Sequence, residues 1–203
     1  MFYNAEHYAD PTAGRLARRI LQKEKIMNTG KRFEADFKAS CPKDAWVYRL
    51  KDSAATYYGG NDQLSFSIDN ICDFLVYHSG HLMLAELKTI DQKSIPLPKI
   101  LGTWNKDKGK YRKEKHIRDM AAAAKHGGIS AVVVIEYRPI RRTFAVPASD
   151  VLDFLAAGER KSIPWQWAAV RGIEVEQRPL KVTWRYDIAG LLDRLESGQE
   201  TCQ

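Results

Sequence analysis

The chain has 203 residues, with 32 Lys and Arg against 25 Asp and Glu, and a formal net charge of +7. That length suits one domain with appendages; the 44% share of hydrophobic residues excludes wholesale disorder, and the basic balance suits a polyanionic partner. Three cysteines (Cys41, Cys72, Cys202) without a CxxC pair argue against a disulfide framework or a zinc cluster and fit a reducing, cytoplasmic compartment. No signal-like N-terminus and no run of about 18 apolar residues is present, so neither export nor a membrane span is expected.

In chain order, Asp10-Pro11 reads as an N-cap with a first-turn proline. It opens a basic amphipathic helix or arm over 14–26, where Leu16, Ile20 and Leu21 sit among Arg15, Arg18, Arg19, Lys23 and Lys25. The expected organisation is a basic arm over 1–29 and a single domain over 30–203. Asn28-Thr29-Gly30 caps a helix over 31–40 with Phe33 and Phe37 on one face. A strand is predicted over 45–50, then a polar insert over about 53–67 centred on Gly59-Gly60-Asn61-Asp62. Strands over 71–77 and 82–88 are joined by His78-Ser79-Gly80-His81 as a hairpin.

The stretch 96–110 reads as irregular and basic. A helix follows over 111–125, with Ile117, Met120, Ala121 and Ala124 at helical spacing and His126-Gly127-Gly128 as its stop. The valine-rich run 131–137 is a buried strand. After Arg138, Arg141 and Arg142, read as an exposed turn, 143–146 pairs with it. Ser149 caps a helix ending at 157, and Asp187 caps a last helix carrying Ile188, Leu191, Leu192 and Leu195. No internal repeat stands out. The order predicts an α/β domain, one mixed sheet flanked by helices.

The hairpin carries the chemistry. A register in which Tyr77 faces Leu82 places Asp73 opposite Glu86, with Lys88 on the same side. Two carboxylates so placed lie about 5 Å apart at Cβ and repel each other, an arrangement more easily kept when a cation bridges them. Oxygen donors without His or Cys favour Mg²⁺, with Mn²⁺ as a substitute. A lysine beside them can hold a water or a phosphate, and the set suits phosphodiester hydrolysis. The alternative is that Asp73, Glu86 and Lys88 form a solvated face. Ile71 and Tyr77 beside Asp73, and Leu82 and Leu84 beside Glu86, favour a site.

The pattern Asp73-x12-Glu86-Leu87-Lys88 resembles the core of the PD-(D/E)XK nuclease superfamily, whose fold is a restriction-endonuclease-like central mixed β-sheet flanked by helices. Gly30-Lys31-Arg32-Phe33-Glu34 resembles the start of its first core helix. Ile71-Cys72-Asp73-Phe74, Ala85-Glu86-Leu87-Lys88-Thr89, Ser94-Ile95-Pro96-Leu97 and Lys115-His116-Ile117-Arg118-Asp119-Met120 resemble, in order, blocks of the RecU-type Holliday junction resolvases. Gly128-Ile129, Arg160-Lys161-Ser162-Ile163 and Tyr186-Asp187-Ile188 keep the same order, so the match spans about residues 30–195.

The resemblance implies a homodimeric, Mg²⁺-dependent endonuclease of bacterial or phage origin that nicks four-way junctions. It implies Asp73 and Glu86 as metal ligands with the Leu87 carbonyl as a third, Lys88 as the catalytic lysine, and Glu34 completing the site through a water. His116 would position a water or phosphate. Two features depart from the family: its His-Gln is Lys115-His116 here, and its long stalk is represented only by the short insert.

From Trp104 to Arg118 the cations Lys106, Lys108, Lys110, Arg112, Lys113, Lys115 and Arg118 are interleaved with Trp104 and Tyr111. This is either a solvated loop or a phosphate-tracking surface, and its place after the site strand favours the second. Arg18 and Arg19 in the arm are expected to clamp DNA. Tyr57 and Tyr58 either stack on unpaired bases or pack the insert on the sheet. The last helix and exposed aromatics at Trp165 and Trp167 are candidate dimer surfaces. Cys72 is read as core, on the face opposite Asp73, and no P-loop or GxGxxG is present. Two other readings remain: a nuclease of the same core acting on other branched or duplex DNA, and a non-cleaving DNA-binding accessory protein in recombination.

Overall fold

The computed structural model describes residues 29–50 and 70–200. The expected arm helix with Arg18 and Arg19, the insert with Tyr57 and Tyr58, and Cys202 lie outside the described residues. The chain forms α1 (29–40), β1 (Trp46–Arg49), β2 (Phe74–His78), β3 (His81–Ile90), β4 (Ser94–Pro96), α2 (Leu97–Leu101), β5 (Trp104–Asn105) and β6 (Lys110–Tyr111). It continues with α3 (Glu114–Ala123), β7 (Ile129–Tyr137), β8 (Arg142–Pro147), α4 (Ala148–Ala157), β9 (Ser162–Pro164) and α5 (Trp165–Arg171). β10 (Ile173–Val175), β11 (Gln177–Pro179), β12 (Trp184–Tyr186) and α6 (Ile188–Glu200) end it. Among the described residues no helix is long and apolar enough to cross a membrane.

The central sheet has six strands in the order β1-β2-β3-β7-β8-β10. Its β3–β7 pair is parallel, from Leu82↔Ile129 to Ile90↔Tyr137, and its other pairs are antiparallel. The architecture is therefore α/β, a central mixed sheet flanked by helices, as the element order predicts. The β2–β3 hairpin turns on Ser79 and Gly80, with φ of 49° and 86°. Two successive residues at positive φ match the right-handed strand twist, which pins the register at Tyr77↔Leu82 as expected.

Alternation along the strands sends side chains to two cores. On one face Leu84, Ala131, Val133 and Ile135 bury against Ile100 and Leu101 of α2, Ile117 and Met120 of α3, Val151 of α4 and Ala168 of α5. On the other, Phe74, Val76, Met83, Ala85, Val132 and Val134 bury against Phe33 and Phe37 of α1 and Ile188, Leu191 and Leu192 of α6. Asp187 caps α6 by accepting the Gly190 N–H at 3.0 Å.

Several elements differ from the sequence reading. The stretch 96–110 is not irregular: it holds α2 and a small β5–β6 hairpin. α4 begins two residues earlier than a Ser149 cap implies, with Pro147 at its N-cap and no side-chain cap. Cys72 is buried, but it joins the core that contains Leu84, on the face of Asp73, because it precedes β2 and strand alternation does not govern it. Trp165 and Trp167 are half-buried rather than exposed. Trp167 packs edge-on to Phe154, and the Arg142 guanidinium lies 5.0 Å from the Trp165 ring. Arg138 pairs with Asp91 and Arg142 with Glu174, so this is not a free basic turn.

A short internal repeat also emerges. Lys-Ser-Ile-Pro occurs at 93–96 and again at 161–164. The two copies pair antiparallel as β4 and β9, with Ile95 opposite Ile163 and Ser94 Oγ donating to Ser162 Oγ at 2.8 Å. Each copy runs into a helix whose first N–H is met by the other: Leu97 N donates to the Lys161 carbonyl and Trp165 N to the Lys93 carbonyl, both at 3.0 Å. The reciprocal bonds satisfy N–H groups that a helix start leaves without an intrahelical partner and clamp α2 to α5. Ile163 is fully buried and Val170 is 82% exposed. Ile163→Ala is therefore expected to cost about 2–5 kcal/mol in urea unfolding, and Val170→Ala to stay within about 0.5 kcal/mol.

Candidate active site

β2 and β3 present the site. The paired register runs from His78↔His81 to Phe74↔Ala85, and Asp73 lies one residue beyond its end. There the main chain departs from the β2–β3 ladder. Asp73 N donates to the Ala85 carbonyl at 3.1 Å and the Asp73 carbonyl accepts from Leu50 N at 2.9 Å. The Leu87 N–H is taken by the Asp73 carboxylate, Oδ2, at 2.7 Å. The side chain thus replaces the main chain as acceptor, which fixes the carboxylate against β3 beside Glu86. Glu86 is 7% exposed and its Oε1 accepts from Lys88 Nζ. Asp73, Glu86 and Lys88 are therefore brought together, although Asp73 lies beyond the paired register and not within it opposite Glu86 as expected.

Glu34 reaches this group from α1. Its Oε2 takes both Nε and Nη2 of Arg49 on β1, at 2.8 and 2.6 Å. The α1 carboxylate is held by a strand cation at the sheet margin, near enough to bear on both Asp73 and Lys88.

Burial, followed by the Glu86 charge, pushes the Asp73 carboxyl up to about 6, against the opposing pull of Lys88 and the Leu87 N–H. Burial works against the Lys88 ammonium, but Glu86, Asp73 and Glu34 outweigh it and hold its proton above the ordinary lysine range. Lys88 is thus a fixed positive charge. Burial, then Glu86, pushes the neighbouring Cys72 thiol up to about 12, so it stays protonated at neutral pH and is no nucleophile.

Among the described residues no group of three or more His, Cys, Asp or Glu side chains is gathered into a metal cage. The donor set still fits a hard cation: two adjacent carboxylates, one of them raised in pKa by burial and by the charge of the other. Mg²⁺ suits such a partial set, because it keeps several waters of its own.

His116 lies in the first turn of α3, half-buried. The crossover places it at the carboxylates' end of the sheet. α3 follows the carboxyl end of β3 and returns the chain to the start of the parallel strand β7. The same constraint puts the β5–β6 hairpin at that end. Lys106, Lys108, Lys110, Arg112 and Lys113 are exposed there, and Trp104 packs edge-on to Tyr111 at 4.9 Å. Lys115 pairs with Asp119 and Arg118 with Glu114, so those two cations are partly neutralised.

Lys99 on α2 is an addition that the sequence reading missed. Burial, then Arg138, lowers its pKa, and Lys88 adds to the effect. Its only sequence signal is its place one turn into the helix after Ser94-Ile95-Pro96. A separate cleft of about 610 Å³, lined by Asp150, Phe154, Arg160, Trp167 and Arg171, shares no residue with the carboxylates. No protein-family model matches the chain, and no curated protein matches it.

The raised Asp73 pKa has a signed consequence. In the fold the carboxyl keeps its proton from about pH 4 to about 6, where the unfolded chain has lost it. Its stabilising contribution is full below pH 4 and lost as pH rises through about 6. In metal-free buffer Asp73→Asn, which keeps an oxygen for Leu87 N, is expected to be more stable than wild type at pH 7.5. The expected gain is on the order of 1–3 kcal/mol and vanishes towards pH 4. Urea unfolding across pH measures it; a less stable variant at pH 7.5 would contradict the argument.

Proposed function

We propose that the protein is a metal-dependent endonuclease that hydrolyses phosphodiesters in branched DNA, with a four-way junction as the leading substrate. The observation that carries the reading is the Asp73–Glu86–Lys88 group, two repelling carboxylates and an ammonium set among the apolar side chains of the β2–β3 hairpin. Its agreement with the PD-(D/E)XK pattern, and with the order of RecU-type blocks along the chain, supports the nuclease class and the homodimeric junction resolvase within it.

Asp73 and Glu86 would hold the Mg²⁺, with the Leu87 carbonyl as a third donor. When bound, the ion supplies a more acidic water and offsets charge on the scissile phosphate. The Leu87 N–H keeps Asp73 oriented. Lys88 donates from Nζ to the attacking water or to a phosphate oxygen, and its elevated pKa keeps it a donor throughout. Water adds to phosphorus, one P–O ester bond breaks, and the products are a phosphate monoester and a hydroxyl group. Glu34, tethered by Arg49, accepts a hydrogen bond from a water at the edge of the site. The exposed cations of β5–β6 track the phosphates beyond the cut.

A labelled four-way junction, a fork and a duplex of one sequence, incubated with Mg²⁺, test the reading. Paired symmetrical nicks in the junction, absent with Asp73→Ala, are expected. Equal cutting of all three substrates would keep the nuclease and reject junction specificity. Tight binding with no cutting would leave the accessory-protein reading. Lys88→Met is expected to lower the cleavage rate about 10²-fold or more. Independently of activity, saturating Mg²⁺ should raise the unfolding temperature of the wild type and not that of Glu86→Gln.

A further inference from the structure

Three large aromatic side chains stand half-exposed on the hairpin end of the sheet: Trp46 at 54%, Tyr48 at 49% and Tyr77 at 48%. The register explains why they share one face. Trp46 lies opposite Tyr77 and Tyr48 opposite Leu75, and directly opposed residues project to the same side. Leu75 packs with the core that holds Leu84, Ala131 and Val133, on the face from which Glu86 and Lys88 project. Leu50 N bonds the Asp73 carbonyl in the continuation of the same ladder. The aromatic strip therefore runs along β1 and β2 into the carboxylate site, with Tyr48 two residues short of the position opposite Asp73.

The rings are held, not loose. Trp46 and Tyr48 stack with centroids 5.7 Å apart and planes inclined by 6°. The opposite side of β1 is anchored by Val47, which packs against the Phe74 core. Parallel rings on a rigid strand present π-faces at low entropic cost. Three half-exposed rings offer on the order of 300 Å², well short of the ~800 Å² that each partner buries in a standard protein interface. A nucleobase is of matching size, and base–aromatic stacking tolerates any sequence. The +7 formal charge supplies the long-range attraction for the strand that carries such bases.

We propose that Trp46, Tyr48 and Tyr77 form a stacking platform for unpaired bases next to the cleavage site, an inference that rests on the nuclease reading. Duplex DNA keeps its bases stacked on each other, so the platform favours substrates in which strands part, at a branch point or a fork. Specificity for branched DNA then resides in the sheet itself, beside the chemistry.

The test uses the full chain in EDTA, with fluorescent oligo-dT and a duplex of equal length as probes. Trp46→Ala is expected to weaken oligo-dT binding roughly ten-fold, the scale of losing one stacked base, while duplex binding changes less than two-fold. Trp46→Phe, which keeps a ring, should restore most of the loss, and thermal unfolding checks that each variant is folded. If Trp46→Ala does not fold, Tyr77→Ala and Tyr48→Leu, read the same way, decide. Unchanged oligo-dT binding overturns the platform, as does an equal loss on both probes. A shift from dimer to monomer in sedimentation of Trp46→Ala also overturns it, since the face would then belong to a second copy. Junction cleavage by the wild type with unchanged oligo-dT binding rejects the platform alone. Ring-dependent oligo-dT binding in a protein that cuts nothing rejects the nuclease reading alone.

Discussion

The parallel ladder between β3 and β7 constrains the rest of the molecule. Nine residue pairs, Leu82↔Ile129 to Ile90↔Tyr137, run side by side, and a parallel pair requires the chain to return across a face of the sheet. That return carries β4, α2, β5, β6 and α3. It buries one face of the central strands under α2 and α3 and leaves the basic β5–β6 hairpin at the carboxyl ends of the two strands. The crossover thus does two things at once: it closes a core, and it gathers positive charge where β3 delivers Glu86 and Lys88. The β4–β9 clamp then ties the crossover to α5, so that later chain holds earlier chain in place.

Against that apolar background the three charges of the site stand out energetically. Asp73 is half-buried beside Glu86, and burial together with the Glu86 charge outweighs the pull of Lys88 and the Leu87 N–H. A fold optimised for stability alone would place apolar residues there, since a buried ion pair rarely outperforms a hydrophobic one. Two buried polar groups elsewhere show the contrast. Glu136 receives Thr89 Oγ1 at 2.5 Å and Tyr186 OH at 3.0 Å, and His81 bonds Ser130 at 3.0 Å. Those groups are satisfied within the chain. The strained pair at Asp73 and Glu86 is the arrangement that an added cation would relieve.

The aromatic strip extends the same economy of geometry. One register, set by the tight turn at Ser79 and Gly80, aligns Tyr77 and Leu75 on β2 with Leu82 and Leu84 on β3. The β1 ladder then sets Trp46 and Tyr48 beside them. A slip of one residue would send the aromatics into the Phe74 core and separate the carboxylates. Chemistry and its neighbouring surface therefore share one structural cause.

Much of this was legible in the residues. The turn residues at 78–81 between apolar runs located the hairpin, and the register supposed for it, Tyr77 opposite Leu82, is the one observed; the valine run located a buried β7. The spacing of Phe33 and Phe37, and of Ile188, Leu191 and Leu192, determined the buried faces of α1 and α6, because these signals are local and repeat at the period of the backbone. Tertiary structure alone decided the remainder. The pairing of Arg49 with Glu34 joins residues 15 apart through an α1–β1 approach that no periodicity encodes. The short repeat at 93–96 and 161–164 acquires meaning only when the two copies meet across 68 residues. Cys72 falls on the Asp73 face because the chain leaves strand geometry before β2, where alternation no longer holds. Local sequence sets which side of an element is apolar; which elements meet, and which charges then face one another, is set by packing the whole chain.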